Sequence, residues 1–141
     1  MKIALASDHA GFALKERIKS YLKDKGFSIL DLGTDSEKKT DYPIFAKKAA
    51  KAVTLKKTEK AILVCGSGLG MAMTANRIKG IRAVSCENIY TAKMSRLHND
   101  ANILCLGARI LSEKKAFKII DVWLKTAFEG GRHINRINKI E

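Results

Sequence analysis

Short apolar runs alternate along this chain with longer stretches in which apolar residues recur every three or four positions. Residues 2–6 (KIALA), 27–32 (FSILDL), 61–65 (AILVC), 81–86 (IRAVSC) and 102–106 (NILCL) read as strands. The run at 61–65 is continuously apolar, as a strand covered on both faces requires. Between the runs lie helix patterns. Residues 11–25 put Leu14, Ile18, Tyr21 and Leu22 on one face, and Gly26 stands just past the end as a stop. Pro43 suits a first helical turn, with Phe45, Ala46, Ala49, Ala50 and Val53 turned inward. A third helix follows the glycines at 66–70 and is expected to end near Lys79-Gly80. Residues 88–98 form a fourth, and Ser112 caps a fifth carrying Phe117, Ile119, Ile120, Trp123 and Leu124. A Gly-Gly break at 130–131 precedes a short basic helix.

Strand then helix, five times over, predicts an α/β fold. It is a Rossmann-like, doubly wound, five-stranded parallel sheet with helices on both faces and a C-terminal tail helix. The 141 residues fit one domain spanning 1–141. In such sheets ligands bind beyond the carboxyl ends of the strands. That rule selects Ser7, Asp8 and His9 after strand one, Cys65 to Gly70 after strand three, and Gly107 and Arg109 after strand five. They are expected to share one rim.

Composition narrows the classes. Apolar residues make up 46% of the chain, and no run approaches the roughly 20 residues of a membrane span, so no membrane partner is expected. The N-terminus, MKIALASDHAG, does not read as a signal peptide, so the cytoplasm is the expected compartment. Three cysteines without a C-x-x-C pair argue against a disulfide framework and against a zinc site. Cys86 and Cys105 read as small buried hydrophobes. The net charge of +13 permits an anionic partner. The basic residues are scattered at helical spacing, however, and read as solvated helix faces rather than a nucleic-acid footprint. Aromatics are 6% of the chain and show no stacking motif, so single-strand binding is poorly supported.

The chemistry concentrates on the rim. The loop Gly66-Ser-Gly-Leu-Gly70 fits neither the dinucleotide fingerprint nor a P-loop. It can aim several backbone N–H groups at one oxygen beside the positive end of a helix, which suits a resting phosphate or a developing oxyanion. It can also be only a tight turn. The same helix end favours a thiolate, so Cys65 reads as a nucleophile, a base or an inert core cysteine. His98-Asn99 offers a partner pair, or His98 merely closes a helix. Asp8 is a candidate N-cap, and His9 can meet an anion. Arg132 and Arg136 stand four apart on one helix face, able to clamp a phosphate or simply to solvate a basic tail.

The combination Ala6-Ser-Asp8-His9-Ala-Gly11, Thr40-Asp-Tyr-Pro43, Cys65-Gly-Ser-Gly-Leu-Gly70, Ser95-Arg-Leu-His98-Asn99-Asp100, Leu106-Gly-Ala-Arg109 and Glu129-Gly-Gly-Arg-His-Ile-Asn-Arg136 resembles the ribose/galactose isomerase family of sugar-phosphate isomerases, end to end and in order. The resemblance implies aldose–ketose isomerisation of ribose 5-phosphate and ribulose 5-phosphate through an enediolate, without metal or cofactor. It implies that Cys65 is the base, that Gly66, Gly68 and Gly70 with Ser67 hold the enediolate, that His98 opens the furanose ring, and that Asp8 helps with hydroxyl protons. Tyr42 and Asn99 would line the sugar, and His9, Arg109, Arg132 and Arg136 would take the phosphate. It further implies a homodimer or dimer of dimers with sites across the subunit interface, where the tail 130–141 would pack. One branch of the family replaces the cysteine by Gly and uses a Glu after the last loop glycine; here that position is Met71. In the galactose-6-phosphate enzyme the cysteine loop and the basic tail belong to unlike subunits. This chain carries both. The rival expectations are a six-carbon sugar phosphate such as allose or galactose 6-phosphate, and a non-catalytic basic phosphate- or nucleic-acid-binding module.

Overall fold

A computed structural model describes all residues, 1–141. Strands β1 (Lys2–Ser7), β2 (Ser28–Asp31), β3 (Lys60–Cys65), β4 (Ala83–Ser85) and β5 (Ile103–Gly107) form one sheet in the order β2-β1-β3-β5-β4. All four pairings are parallel. Helices α1 (Phe12–Asp24), α2 (Tyr42–Thr54), α3 (Leu69–Ala75), α4 (Ile89–Leu97), α5 (Glu113–Lys125) and α6 (Arg132–Ile137) complete the chain. The predicted doubly wound sheet is the observed one.

The strict period of two in the central strands divides their side chains between two cores. Ile3, Leu5, Ile62, Val64, Leu104 and Leu106 point to one face, where Ile18 and Leu22 of α1 and Ile119, Ile120 and Trp123 of α5 cover them. Ala4, Ala6, Ala61, Leu63, Cys65, Ile103 and Cys105 point to the other, under α2 and α3. That second face is rich in alanine. Phe45, Ala46, Ala49 and Ala50 of α2 bury themselves against it.

Two expected boundaries shift. The helix after the glycine loop stops at Ala75 rather than near Lys79, and the strand expected at 81–86 shortens to Ala83–Ser85. One residue accounts for both ends. The Asn76 side chain donates to the Ala83 carbonyl and accepts from the Ala83 N–H, each at 2.8 Å, so its amide joins the helix end to the strand start. The basic residues are also not all solvated. Lys15 and Arg96 are buried, Lys15 bonding Asp31 through both carboxylate oxygens at 2.8 and 2.9 Å.

Candidate active site

Because every strand runs the same way, the carboxyl ends of β1, β3 and β5 make one edge. Asp8, Tyr42, Cys65, Gly66, Ser67, Gly70, Arg109 and Ile110 line a cavity of ≈ 430 Å³ there. The rim expected from topology is thus a real concavity. Asp8 sits buried after β1, and one of its oxygens accepts from the Gly11 N–H at 3.1 Å, so it does organise the turn into α1. It lines the cavity as well. The readings of Asp8 as cap and as site residue are therefore compatible.

The loop from Cys65 to Gly70 is braced on several sides. The Cys65 carbonyl accepts from Ala108 N–H at 2.8 Å, and the Gly66 carbonyl from Arg109 N–H at 3.0 Å. Gly68 turns the chain with φ +82°, a conformation side chains disfavour. Its N–H donates to Cys65 Sγ at 3.1 Å, fixing the sulfur against the loop. Ser67 Oγ accepts from the Leu69 N–H at 3.2 Å. A side chain at Gly70 would run into the Tyr42 ring, so the missing Cβ lets that ring lie against the loop. Met71 is fully buried in the core and offers no titratable group to the cavity. Cys86 and Cys105 are buried too, and burial pushes both thiols up, farthest for Cys105.

His9 stands beside Asp8. Its N–H donates to Thr40 Oγ1 at 3.1 Å, and its Nδ1 accepts from the Thr40 N–H at 3.2 Å. The Thr40 carbonyl lies at the same 3.2 Å from Nδ1, so Thr40 meets this nitrogen in either tautomer.

The remaining predicted residues lie elsewhere. Helix α4 starts beyond the carboxyl end of β4 and returns antiparallel to the strands, so His98 at its end reaches the amino edge of the sheet, just before β5. Helix α5 makes the same return, and the tail meets α4 there: Glu129 N–H donates to the Leu97 carbonyl at 3.1 Å. His98 stacks on His133 with ring centroids 4.4 Å apart. Glu129 Oε2 is 3.9 Å from His98 Nε2 and 3.7 Å from His133 Nε2, and Glu129 Oε1 is 3.3 Å from Arg132 Nη1. Asn99, Arg132 and Arg136 are exposed. The structure therefore divides the predicted residues into two groups, separated by the length of β5, about 15 Å. Sequence reasoning missed Glu129 and His133. Their i, i+4 spacing was visible, but His98 joins them only through the packing of the tail on α4. His98, Glu129 and His133 each bring one ligand-type atom within 4.8 Å of the others.

The Ribose/Galactose Isomerase family matches residues 3–140. The chain belongs to that family. Among its relatives, ribose-5-phosphate isomerase B of Escherichia coli is 44% identical over 139 residues, covering 99% of this chain and 93% of the relative. The structure of Clostridium thermocellum ribose-5-phosphate isomerase B superposes with a TM-score of 0.99 at 48% identity, covering 99% of this chain and 95% of that one. A Mycoplasma genitalium ribose-5-phosphate isomerase B, solved with bound ribulose-5-phosphate, gives 0.94 at 42% identity, covering 99% and 93%. The family's similarity thus runs through both the cysteine loop and the basic tail.

Proposed function

We infer that this chain is an aldose–ketose isomerase interconverting ribose 5-phosphate and ribulose 5-phosphate. The observation that carries the reading is Cys65: its sulfur accepts the Gly68 amide at the mouth of a rim cavity, in a chain similar along its whole length to ribose-5-phosphate isomerases B.

The chemistry follows from the arrangement. The Cys65 thiolate takes the proton from C2 of the open-chain sugar and returns it to C1. The negative charge left on the substrate oxygen falls to the amides of the 66–70 loop that Cys65 Sγ and Ser67 Oγ do not already engage, and to the Ser67 hydroxyl. Asp8 handles hydroxyl protons at the cavity wall. Tyr42 packs along the sugar. His9 and Arg109 face the phosphate from the same edge, and the net charge of +13 draws the anion in. None of these steps calls for a metal or a cofactor.

His98, Asn99, Arg132 and Arg136 act from a second copy of the chain. Within one chain they lie at the wrong edge, yet the cavity is open and flanked by exposed apolar side chains: Tyr42, Leu69 and Ile110 are 40%, 51% and 48% exposed. A partner seated there in a homodimer, its tail 130–141 at the interface, brings His98 to the ring oxygen and the two arginines to the phosphate. Dimers of dimers are open to the same surface. The reading places the enzyme in the cytoplasm, where three unpaired cysteines are at home. No helix is long and apolar enough to cross a membrane.

A panel of pentose and hexose phosphates with the purified protein tests the function. Ribose 5-phosphate is expected to turn over fastest. Preference for allose or galactose 6-phosphate would move the assignment to six carbons, and salt-sensitive DNA retention without turnover would replace it by a binding module.

A further inference from the structure

We propose that His98, Glu129 and His133 form a zinc site at the amino edge of the sheet, and that zinc bound there switches the isomerase off. The three residues each offer one ligand atom, all within 4.8 Å of one another. Two imidazoles and a carboxylate are a common zinc donor set, with a water completing the tetrahedron. Ligands about 2 Å from a tetrahedral zinc are about 3.3 Å apart. Glu129 Oε2 is already 3.7 Å from one histidine nitrogen and 3.9 Å from the other.

A second observation points to a ligand. His133 Nε2 is buried without a hydrogen-bond partner, and its side chain is only 5% exposed. A buried polar atom left unpaired is costly, and a metal would satisfy it. Glu129 divides its oxygens usefully. Oε1 faces Arg132 at 3.3 Å, while Oε2 faces the histidines. The Arg132 charge opposes the cation, so affinity in the micromolar range is expected rather than that of a structural zinc. The rings must also splay from their 17° stack to converge on one ion. Coordination occupies the His98 Nε2 lone pair, leaving that nitrogen nothing with which to pick up or hand over a proton.

The inhibition half rests on the ring-opening role given to His98 above; the binding half does not. Zinc is titrated by calorimetry into full-length Cys65→Ala protein, which removes the competing thiolate, and cobalt absorption reports the geometry. One site per chain is expected, with the intense visible bands of tetrahedral cobalt. Glu129→Gln, at an exposed position, and His133→Gln should each weaken binding by about a hundredfold or more, since removing a ligand costs at least what removing a ligand's support does. No saturable binding, or affinity unchanged in Glu129→Gln, overturns the site. In wild-type protein zinc should inhibit at the concentration that fills the site, EDTA should restore the rate, and Glu129→Gln should lose zinc sensitivity. Binding at the three residues with full turnover overturns the switch and the role of His98 together. Absence of any ribose 5-phosphate turnover without zinc overturns the proposed function, while the calorimetry still decides the site.

Discussion

At the carboxyl edge of the sheet the side chains that matter are held by backbone; at the amino edge they are held by one another. Cys65 ends a central strand, its loop is tied to the turn after β5 by two backbone bonds, and its sulfur receives an amide at 3.1 Å. His98 ends a helix, rests on another histidine, and shares a half-exposed glutamate with Arg132. The first arrangement is fixed before substrate arrives, as stabilisation of a developing charge requires. The second is adjustable, which suits residues that complete a site only when another subunit or a ligand meets them. On the proposed mechanism this is a division of labour: the groups assigned to proton transfer and oxyanion stabilisation are braced by backbone, whereas His98 and the two tail arginines are not.

The sharpest way to break the comparison is Cys65→Ala. The backbone loop remains, so a folded protein that still binds sugar phosphate is expected. Turnover should fall by about a thousandfold or more, because the base acts only in the transition state. Steady-state rates with ribose 5-phosphate, paired with calorimetric binding of a sugar phosphate, decide it. An active variant would remove the thiolate from the mechanism.

The next largest effect separates the edges between subunits. Arg132→Ala is expected to cost about 10- to 100-fold in kcat/KM through lost positioning of the phosphate. When it is mixed with Cys65→Ala chains, random exchange makes about half of the dimers mixed, each with one intact site of two, so about a quarter of the wild-type rate should return. No recovery, with exchange demonstrated by mass, would mean that Cys65 and Arg132 of one chain serve one site.

These edges were not equally legible in the sequence. The carboxyl edge was, because a parallel sheet sends every strand end to the same side and glycines 66, 68 and 70 announce a turn with backbone exposed. Continuous runs such as AILVC gave the central strands for the same reason: burial on both faces leaves no polar position. The end of α3 was not legible, since nothing in the helical pattern says that Asn76 will turn its amide to Ala83. Nor was the amino-edge cluster, which depends on where a tail after two glycines comes to rest. Lys15 was misjudged with the other basic residues. Its position on α1 is one step from the apolar face, and only the presence of Asp31 at the end of β2 makes its burial tolerable.

Lys15 yields the smallest expected effect, and one that tests whether the carboxyl edge is held by backbone alone. Its ammonium, 1% exposed, bonds Asp31 at 2.8 Å and Glu16 at 2.9 Å, fastening α1 to the last residue of β2. Lys15→Met keeps the buried stem and deletes the charge. Asp31 retains Lys19 at 2.7 Å, so no carboxylate is stranded, and the cost should be about 1 kcal/mol or less. Turnover should not change if backbone bonds suffice to hold the rim. The pH dependence gives the sign. Burial of Asp31 opposes its ionisation, but hydrogen bonds from Lys15 and Lys19 outweigh it and hold the carboxyl below its usual range. Its folded value is depressed, so the stability it contributes is present above the ordinary carboxylate range and lost as pH falls through the lower folded value. The gap in denaturant midpoint between wild type and Lys15→Met should therefore be widest near neutral pH and narrow toward acid. A gap that stays constant on acidification would mean the ion cluster adds only packing, and a fall in turnover near neutral pH would mean that the rim needs more than its backbone bonds.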